Sequence, residues 1–445
     1  MALNMMSDFI PEIDMEMSDG LVERFADTQL NAPFTPLQSY RGFDGMRALT
    51  LKQGKRLPER YLTSAHPFLV WNAAVTGEPY PVKALIVMAG NPLVTYANTK
   101  LVHEAFEHLD LIVVLEYYMT PTAAMADYVL PSAAAMERPV IQIQGGISNL
   151  AYGGPAAVAP YYERKTDYEF FRLLGLRMGQ EEFWPQESLE EAFDVQFGAC
   201  GMTWEDFCST GLYCPPAYYG KQEWRYPGSD EPIGFSTTTG KVELRNEYLI
   251  SLGATEFPEP VSVDDALDLR FAQSLGLPTE EGNVLGASGS TPTGKSLSAG
   301  GELDPRVLRL ITGARVQPYW ASSLYNIESF RRRRPEPQAS MSAKTLAAAG
   351  ISEGEWIVVR TSIGEARFVA KEASMVDGVI SVDYGWWYPE TDVSEPNLGG
   401  IWQSNSNLLT SGDIETSEPL IGSWKYNGIL CEIAPSSDPR DSAKR

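Results

Sequence analysis

Cysteine and histidine are scarce in this 445-residue sequence, with four of the first and three of the second. Cys200, Cys208, Cys214 and Cys431 include no CxxC pair and no Cys/His grouping with zinc or iron–sulfur spacing, so they read as free thiols of a reducing compartment. With only His66, His103 and His108, a His-built metal site or a Ser-His-Asp triad is hard to assemble. Long apolar runs are also absent: none approaches the ~18–20 residues of a membrane span. Positive charge is in deficit, 35 Lys and Arg against 58 Asp and Glu, for a net charge of −23. That balance excludes nucleic acid or an anionic membrane as an electrostatic partner. It leaves room for one local basic group holding a phosphate in a cleft. The opening MALNMMSDFIPEIDMEMSDG has neither a basic nor an apolar signal region. Residues 1–60 are therefore expected to be an irregular leader or an internal piece of a longer chain, and the location as it stands cytoplasmic.

What is present is ordinary in bulk, 44% hydrophobic and 21% charged, and long enough for two or three domains. Order begins near residue 61. Val82–Ala89 is a short apolar run rich in β-branched residues, as a buried parallel strand requires, and Gly90-Asn91-Pro92 breaks it. Asn98–Leu109 carries Leu101, Val102, Ala105, Phe106 and Leu109 at helical spacing. Leu111–Leu115 is a second strand and Tyr128–Leu130 a shorter third. Two βα units in series predict a parallel sheet with right-handed crossovers. A helix is expected over 163–180, with Asp167 near its start. The Pro/Gly-punctuated stretch 186–235 reads as loop, and Thr237–Leu244 as a turn leading into a strand. A short helix is expected near Leu21–Phe25. Residues 285–303 are Gly/Ser-rich and read as a linker between an α/β domain (61–284) and a mostly β domain (304–435), with a tail at 436–445. In the second domain, strands are expected at Leu308–Thr312, Trp356–Thr361, Glu365–Lys371 and Val379–Asp383. A short helix, Ser342–Ala349, has Ser342 as N-cap and Gly350 as terminator. Strands interleaved with short helices predict a closed barrel.

In an open parallel sheet, ligands sit beyond the carboxyl ends of the strands. Gly90-Asn91-Pro92 ends the first strand and Glu116 the second. A small residue lets backbone approach a phosphate, and an acid at the next strand end grips a ribose or a guanine edge. No GxGxxG is present, and an ordinary βα turn beside a solvated Glu fits the same letters.

The wording is more specific. ALIVMAGNPLVTYANT, followed by LDLIVVLEYYMTPTAAMADYVLPSAAAMER, closely resembles the molybdopterin oxidoreductases, the molybdenum or tungsten enzymes of the DMSO reductase/formate dehydrogenase superfamily. Glu116, Thr120, Thr122 and Asp127 to Leu130-Pro131 follow that family's block of spaced Asp/Glu, Thr, Asp and Leu-Pro. The resemblance implies a partial parallel-sheet nucleotide-binding domain followed by a double-psi-like β-barrel that binds the pterin dinucleotide. It implies that Asn91, Leu115 and Glu116 touch one nucleotide, that Arg138 stands where relatives often place a Lys, and that Asp167 faces a guanine base. A carboxylate accepting from guanine N1–H and N2–H₂ selects guanine over adenine; alone, Asp167 reads equally as a helix N-cap. GFSTTTGKVEL (234–244) resembles a structural strand of the family.

LRLITGARVQPYW (308–320) resembles the first strand and loop of the family's barrel, which implies pterin–diphosphate contacts from Thr312, Gly313, Arg315 and Gln317. GWWYPE (385–390) and SNSNLL (404–409) are similar to the acetylene-hydratase-like branch. The resemblance implies stacking by Trp387 or Tyr388, a pterin-edge contact by Asn407, and a phosphate contact by Lys425. A packed aromatic turn fits GWWYPE without it. The run Arg331–Arg334 reads as a solvated loop, with a partner-facing patch as the alternative.

The resemblance corresponds to the second half of a family member. The implied cofactor is bis-molybdopterin guanine dinucleotide with Mo or W. The [4Fe–4S] cysteines, the other nucleotide domain and the metal ligand are expected in an N-terminal half or another subunit, with an iron–sulfur electron-transfer subunit as a compatible partner. No catalytic or metal-ligating residue is expected in this chain, and activity alone is not expected. A non-catalytic module that keeps the fold for nucleotide or partner binding is the alternative. A stand-alone α/β nucleotide enzyme is weaker, for want of an acid–base pair. An upstream twin-arginine signal is compatible with the same reading.

Overall fold

The computed structural model describes residues 65–144, 150–198, 201–213, 242–245, 250, 256–257, 266–277, 279–280, 283–284, 305–413, 416 and 423–442. The leader, the helix expected near Leu21–Phe25, the linker at 285–303, most of Thr237–Leu244, Cys200 and Cys214 lie outside them. The described residues fall into two compact units, one drawn from 65–130 and 260–445, the other from 131–259.

In the first unit, helix α1 (Pro67–Thr76) starts on a proline, whose missing N–H costs nothing there, and ends on Gly77 in the left-handed region. Strand β1 (Ala84–Met88) leads through a turn into the single-turn helix α2 (Pro92–Thr95). Helix α3 (Thr99–Glu107) begins where the Asn98 side chain accepts from the Leu101 N–H. Its apolar stripe, Val102, Ala105 and Phe106, is buried. Strand β2 (Leu111–Glu116) pairs parallel to β1, α4 (Pro121–Ala124) is capped by Thr120, and β3 (Tyr128–Pro131) completes the order β1–β2–β3. The predicted parallel βα arrangement is therefore present, with element ends within a few residues of those expected.

The other unit holds an antiparallel sheet of β4 (Val140–Gln144), β5 (Leu150–Gly154) and β6 (Leu212–Tyr213). It also holds helices α5 (Asp167–Arg177), α6 (Leu189–Gly198) and α7 (Trp204–Thr210). The last two correct the reading of 186–235 as loop. Phe193, Phe197 and Phe207 are buried together beside Trp204, and Thr203 and Asp206 form a capping box. The Pro and Gly residues that suggested loop punctuate the ends of these short helices, where aromatic packing supplies what length does not.

Back in the first unit, helix α8 (Ala266–Ser274) precedes a closed six-stranded barrel. Its strands are β7 (Val307–Ala314), β8 (Gln338–Met341), β9 (Trp356–Arg360), β10 (Glu365–Glu372), β11 (Val379–Asp383) and β12 (Asn427–Pro435), in the order β8–β10–β9–β12–β7–β11. The pairs β8–β10 and β7–β11 run parallel, and the others antiparallel. Inward positions alternate along each strand, as closure demands, and deliver Leu310, Met341, Ile357, Val359, Phe368, Ile380 and Ile433 to one core. Helix α9 (Glu328–Arg333) lies before β8. Helix α10 (Ala343–Ala349) has the expected Ser342 cap and left-handed Gly350.

Candidate functional site

β1 and β2 are in register with Met88 opposite Leu115, so the residues that follow, Ala89-Gly90-Asn91 and Glu116, leave the sheet side by side. Ala89 turns the chain at φ 53°, a left-handed conformation unusual for a residue with a Cβ. Asn91 then enters the interior, 4% exposed. Its amide has a fixed orientation. The Thr122 hydroxyl accepts from the Leu93 N–H at 3.3 Å and donates to Asn91 Oδ1 at 2.6 Å. With Oδ1 accepting from the Thr122 hydroxyl, Asn91 Nδ2 faces away, buried and without a partner.

The far end of α2 is equally held. Asn405 Nδ2 donates to Leu93 O at 3.2 Å and Thr99 Oγ1 at 3.0 Å, and Asn407 Nδ2 donates to Val94 O at 2.8 Å. The Tyr384 hydroxyl donates to Thr95 O at 2.7 Å, while the Tyr384 N–H bonds Ala314 O at the end of β7. These contacts bring the β1 turn, the 405–410 loop and the start of the 315–318 loop into one neighbourhood. Ser406 adds a buried hydroxyl without a partner.

The expected site residues divide by what the structure has them do. Leu115 is buried at the end of β2. Glu116 Oε1 accepts from the Tyr117 N–H at 2.7 Å, and burial pushes its carboxyl up against the lowering pull of the Tyr117 and Tyr118 N–H groups. Arg315 is exposed, its guanidinium 5.5 Å from the Trp320 ring centre, and among the described residues it pairs with no carboxylate. Gln317 and Gly313 are exposed, and Thr312 Oγ1 donates to Tyr426 O at 3.1 Å.

Others are occupied by the fold. Trp387 and Tyr388 are about 1% exposed: Trp387 Nε1 donates to Ser322 O, and the Tyr388 hydroxyl bonds Ser404. Glycine makes this packing possible. A Cβ on Gly400 would lie 2.6 Å from the Tyr388 ring, and one on Gly385 would meet the 321–322 backbone at 3.0–3.2 Å. The segment is thus a packed aromatic core, and as placed neither ring offers a free face. Asn407 spends its amide on Val94 O and on Thr410. Lys425 is ion-paired with buried Asp268, which also accepts from the Leu430 N–H at 3.0 Å.

Arg138 and Asp167 belong to the other unit. Arg138 follows Glu137, whose carboxyl is held below the usual range by the Ala134 N–H and then by Tyr161 N–H and Arg164. Asp167 is the first residue of α5, half-buried. The N-cap is Thr166, boxed with Glu169, and Asp167 accepts no hydrogen bond among the described residues.

The Arg331–Arg334 run is a correction. It closes helix α9 rather than forming a solvated loop. Arg331 lies over the Tyr325, Trp386 and Tyr388 rings and pairs with Glu390, and Arg334 grips Asp383 with both carboxylate oxygens.

For a metal, the donors are poorly disposed. The free thiols among the described residues are Cys208 and Cys431, and burial pushes both up, away from thiolate. His103 turns Nε2 to Glu395 at 2.5 Å and Nδ1 to Glu107 at 3.6 Å. One donor atom from each of the three lies within 4.8 Å of the others, but both carboxylates are exposed and the imidazole is already paired with each of them. Sequence reasoning missed Thr99, Tyr384, Asn405 and Ser406. Thr122 was in the motif, though its role was not legible there.

The turn at the parallel strand ends and the closed barrel are the two regions on which comparison bears directly. Residues 66–177 match the molybdopterin oxidoreductase family, and residues 308–427 match its molydopterin dinucleotide binding domain. The chain belongs to the molybdopterin oxidoreductase family. It is 28% identical over 427 residues to acetylene hydratase of Syntrophotalea acetylenica, covering 93% of this chain and 52% of that protein. It is 26% identical over 378 residues to the dimethyl sulfoxide/trimethylamine N-oxide reductase of Rhodobacter capsulatus, covering 80% and 42%. The solved acetylene hydratase from Pelobacter acetylenicus superimposes with a TM-score of 0.69 at 28% identity, over 84% of this chain and 47% of that one. The chain spans about half the length of these relatives. Among the described residues no helix is long and apolar enough to cross a membrane.

Proposed function

We propose that this chain is the C-terminal half of a molybdopterin-guanine-dinucleotide enzyme. On this reading it holds the nucleotide and pterin ends of the cofactor while an N-terminal half or another subunit supplies the metal ligand and any cluster. The observation that carries it is the Asn91 amide, whose Oδ1 accepts from Thr122 while its buried Nδ2, with two N–H groups, has no partner and suits a ligand beyond the β1 strand end. Glu116 beside it suits a ribose hydroxyl or guanine edge, and Arg315 a diphosphate oxygen. When bound, the metal of such a cofactor supplies the redox or Lewis-acid chemistry. This chain's residues position the nucleotide and wall the site, and no described thiol or imidazole suits the metal. The acetylene-hydratase-like wording places hydration among the reactions to test.

The test is calorimetric titration of the purified chain with GDP and ADP, alongside metal analysis and dye-linked assays. The expected result is GDP binding stronger than ADP, no stoichiometric Mo or W and no turnover. Equal or absent nucleotide binding refutes the nucleotide role; stoichiometric metal with turnover refutes the half-enzyme role. A non-catalytic module is the second reading, favoured by one observation: Trp387, Tyr388, Asn407 and Lys425 all spend their polar atoms within the fold.

A further inference from the structure

Asn91 and Arg315, the two ends of the ligand surface proposed above, stand on different elements, the turn after β1 and the loop after β7. On the first, Thr95 gathers the turn: its N–H and its hydroxyl both donate to Asn91 O, at 3.0 and 2.9 Å. The carbonyl of the same Thr95 accepts from the Tyr384 hydroxyl at 2.7 Å. On the second, the Tyr384 N–H donates to Ala314 O at 3.1 Å, one residue before Arg315. Tyr384 therefore holds the backbone behind Asn91 with its hydroxyl and the backbone behind Arg315 with its main chain. Asn405 and Asn407 take the other two α2 carbonyls, but among the described contacts neither reaches the 314–317 segment.

Tyr384 is itself anchored on both sides. Before it, Asp383 pairs with Ala314 beyond a register shift in β11, and its carboxylate takes Arg334 and, at 2.7 Å, the Gln338 N–H. After it, Gly385 turns at φ 73° against the 321–322 backbone, where a Cβ would be crowded. The tyrosine ring has two torsions, so it keeps a set length at little entropic cost. Burial pushes the Tyr384 hydroxyl up, which keeps it protonated and donating; the Arg315 guanidinium pulls the other way, so that charge lies within electrostatic reach of the ring.

We propose that Tyr384 is a positioning residue that sets the span between Asn91 and Arg315, so that the site favours a nucleoside carrying a diphosphate, which engages both, over a nucleoside alone. This rests on the nucleotide reading above and adds to it the residue through which the two ends act together.

The test is calorimetric titration of the full chain with GDP and guanosine in the parent, Tyr384→Phe and Asn405→Ala. In the parent, Arg315 should favour GDP over guanosine roughly fivefold, the size of one hydrogen bond to a charged group. Phenylalanine removes one oxygen and keeps the ring. In Tyr384→Phe the two ligands are expected to bind alike, and Arg315→Ala to cost GDP nothing further in that background. Asn405→Ala loosens α2 without touching the Arg315 segment, so it should weaken both ligands and keep the ratio, as a merely structural role for Tyr384 would. Hydrogen exchange of the parent needs no substitution: guanosine, engaging the β1 turn, should slow the amides at 314–317 as well as those at 93–95. A ratio kept or both ligands lost together in Tyr384→Phe, a ratio lost equally in Asn405→Ala, or protection confined to 93–95 overturns the positioning role and leaves the nucleotide reading standing. So does a parent that binds GDP and guanosine alike. A parent that binds neither overturns both.

Discussion

Thr122→Val removes one oxygen and keeps the shape. In the parent, the fully buried Thr122 hydroxyl takes the Leu93 N–H and gives its proton to Asn91 Oδ1. With valine, a buried N–H and a buried carbonyl-type oxygen both lose their partner, at about 1–3 kcal/mol each. Some of this is recovered by relaxation, so the expected destabilisation is about 2–4 kcal/mol. At about 2–4 °C per kcal/mol for a unit of this size, the melting temperature should fall by roughly 4–16 °C. The amide of Asn91 also loses the contact that fixes its orientation, so GDP affinity should fall in step with an Asn91→Ala variant. Thr122→Ser, which keeps the hydroxyl, should restore affinity while losing only about 1 kcal/mol of methyl burial. Differential scanning calorimetry and nucleotide titration of the variants are the assay. A Thr122→Val protein melting within about a degree of the parent, or binding GDP as well, refutes the relay and with it the assignment of Asn91 Nδ2 as the free donor.

Three further outcomes follow from the same geometry. Burial raises the Glu116 carboxyl. Its protonated form is thus favoured in the folded state, and the associated stability is present at low pH and lost as pH rises through the folded value. Glu116→Gln should therefore be as stable as the parent under acid conditions and more stable at neutral pH by thermal melting, while binding GDP less well; a variant less stable at neutral pH argues against burial as the dominant cause. Lys425→Met removes the cation beside buried Asp268 while the lysine is a fifth exposed, so a loss of about 3 kcal/mol is expected in denaturant titration. Unchanged stability with a sharp loss of GDP binding would instead assign Lys425 to phosphate. Arg315→Ala, at an exposed guanidinium, should weaken GDP by about 1 kcal/mol, roughly fivefold, with stability moved by about 0.5 kcal/mol; equal affinities for GDP and guanosine in the parent would remove that role.

Legibility in the sequence followed the range of the interactions. The α/β strands, α3 with its Asn98 start, the Ser342 cap, Gly350 and four barrel strands were readable because each rests on local periodicity or a local cap. β8 and β12 were not. Gln338–Met341 is four residues long, and Asn427–Pro435 is held by partners more than a hundred positions away on β7. The family wording located the turn but not its workings. Within that block Thr120 caps α4, Thr122 orients Asn91, and Asp127 accepts from the Ile112 N–H at 2.7 Å. The recognisable letters are thus largely the turn's own scaffolding. The Arg331–Arg334 run misled for the complementary reason: four like charges read as solvated, whereas both acceptors, and two of the three rings, that engage Arg331 and Arg334 come from 383–390, invisible to a local window.

The same distinction bears on what the barrel is for. A four-residue helix such as α2 cannot sustain itself, since nucleation costs more than one turn returns. Its N-terminal end is fastened by Thr122, through the Leu93 N–H. Its carbonyls at Leu93, Val94 and Thr95 are taken by Asn405, Asn407 and Tyr384, all from segments of the barrel region. The turn that presents Asn91 is therefore built by two distant stretches of one chain. Removing the barrel region would leave three helix carbonyls unsatisfied and the turn without a fixed shape. The pairing of a strand-end turn with a C-terminal barrel is on this account a structural dependence as well as a division of the ligand surface. It explains why residues 65–130 cluster with 260–445 rather than with the segment that follows them directly in sequence.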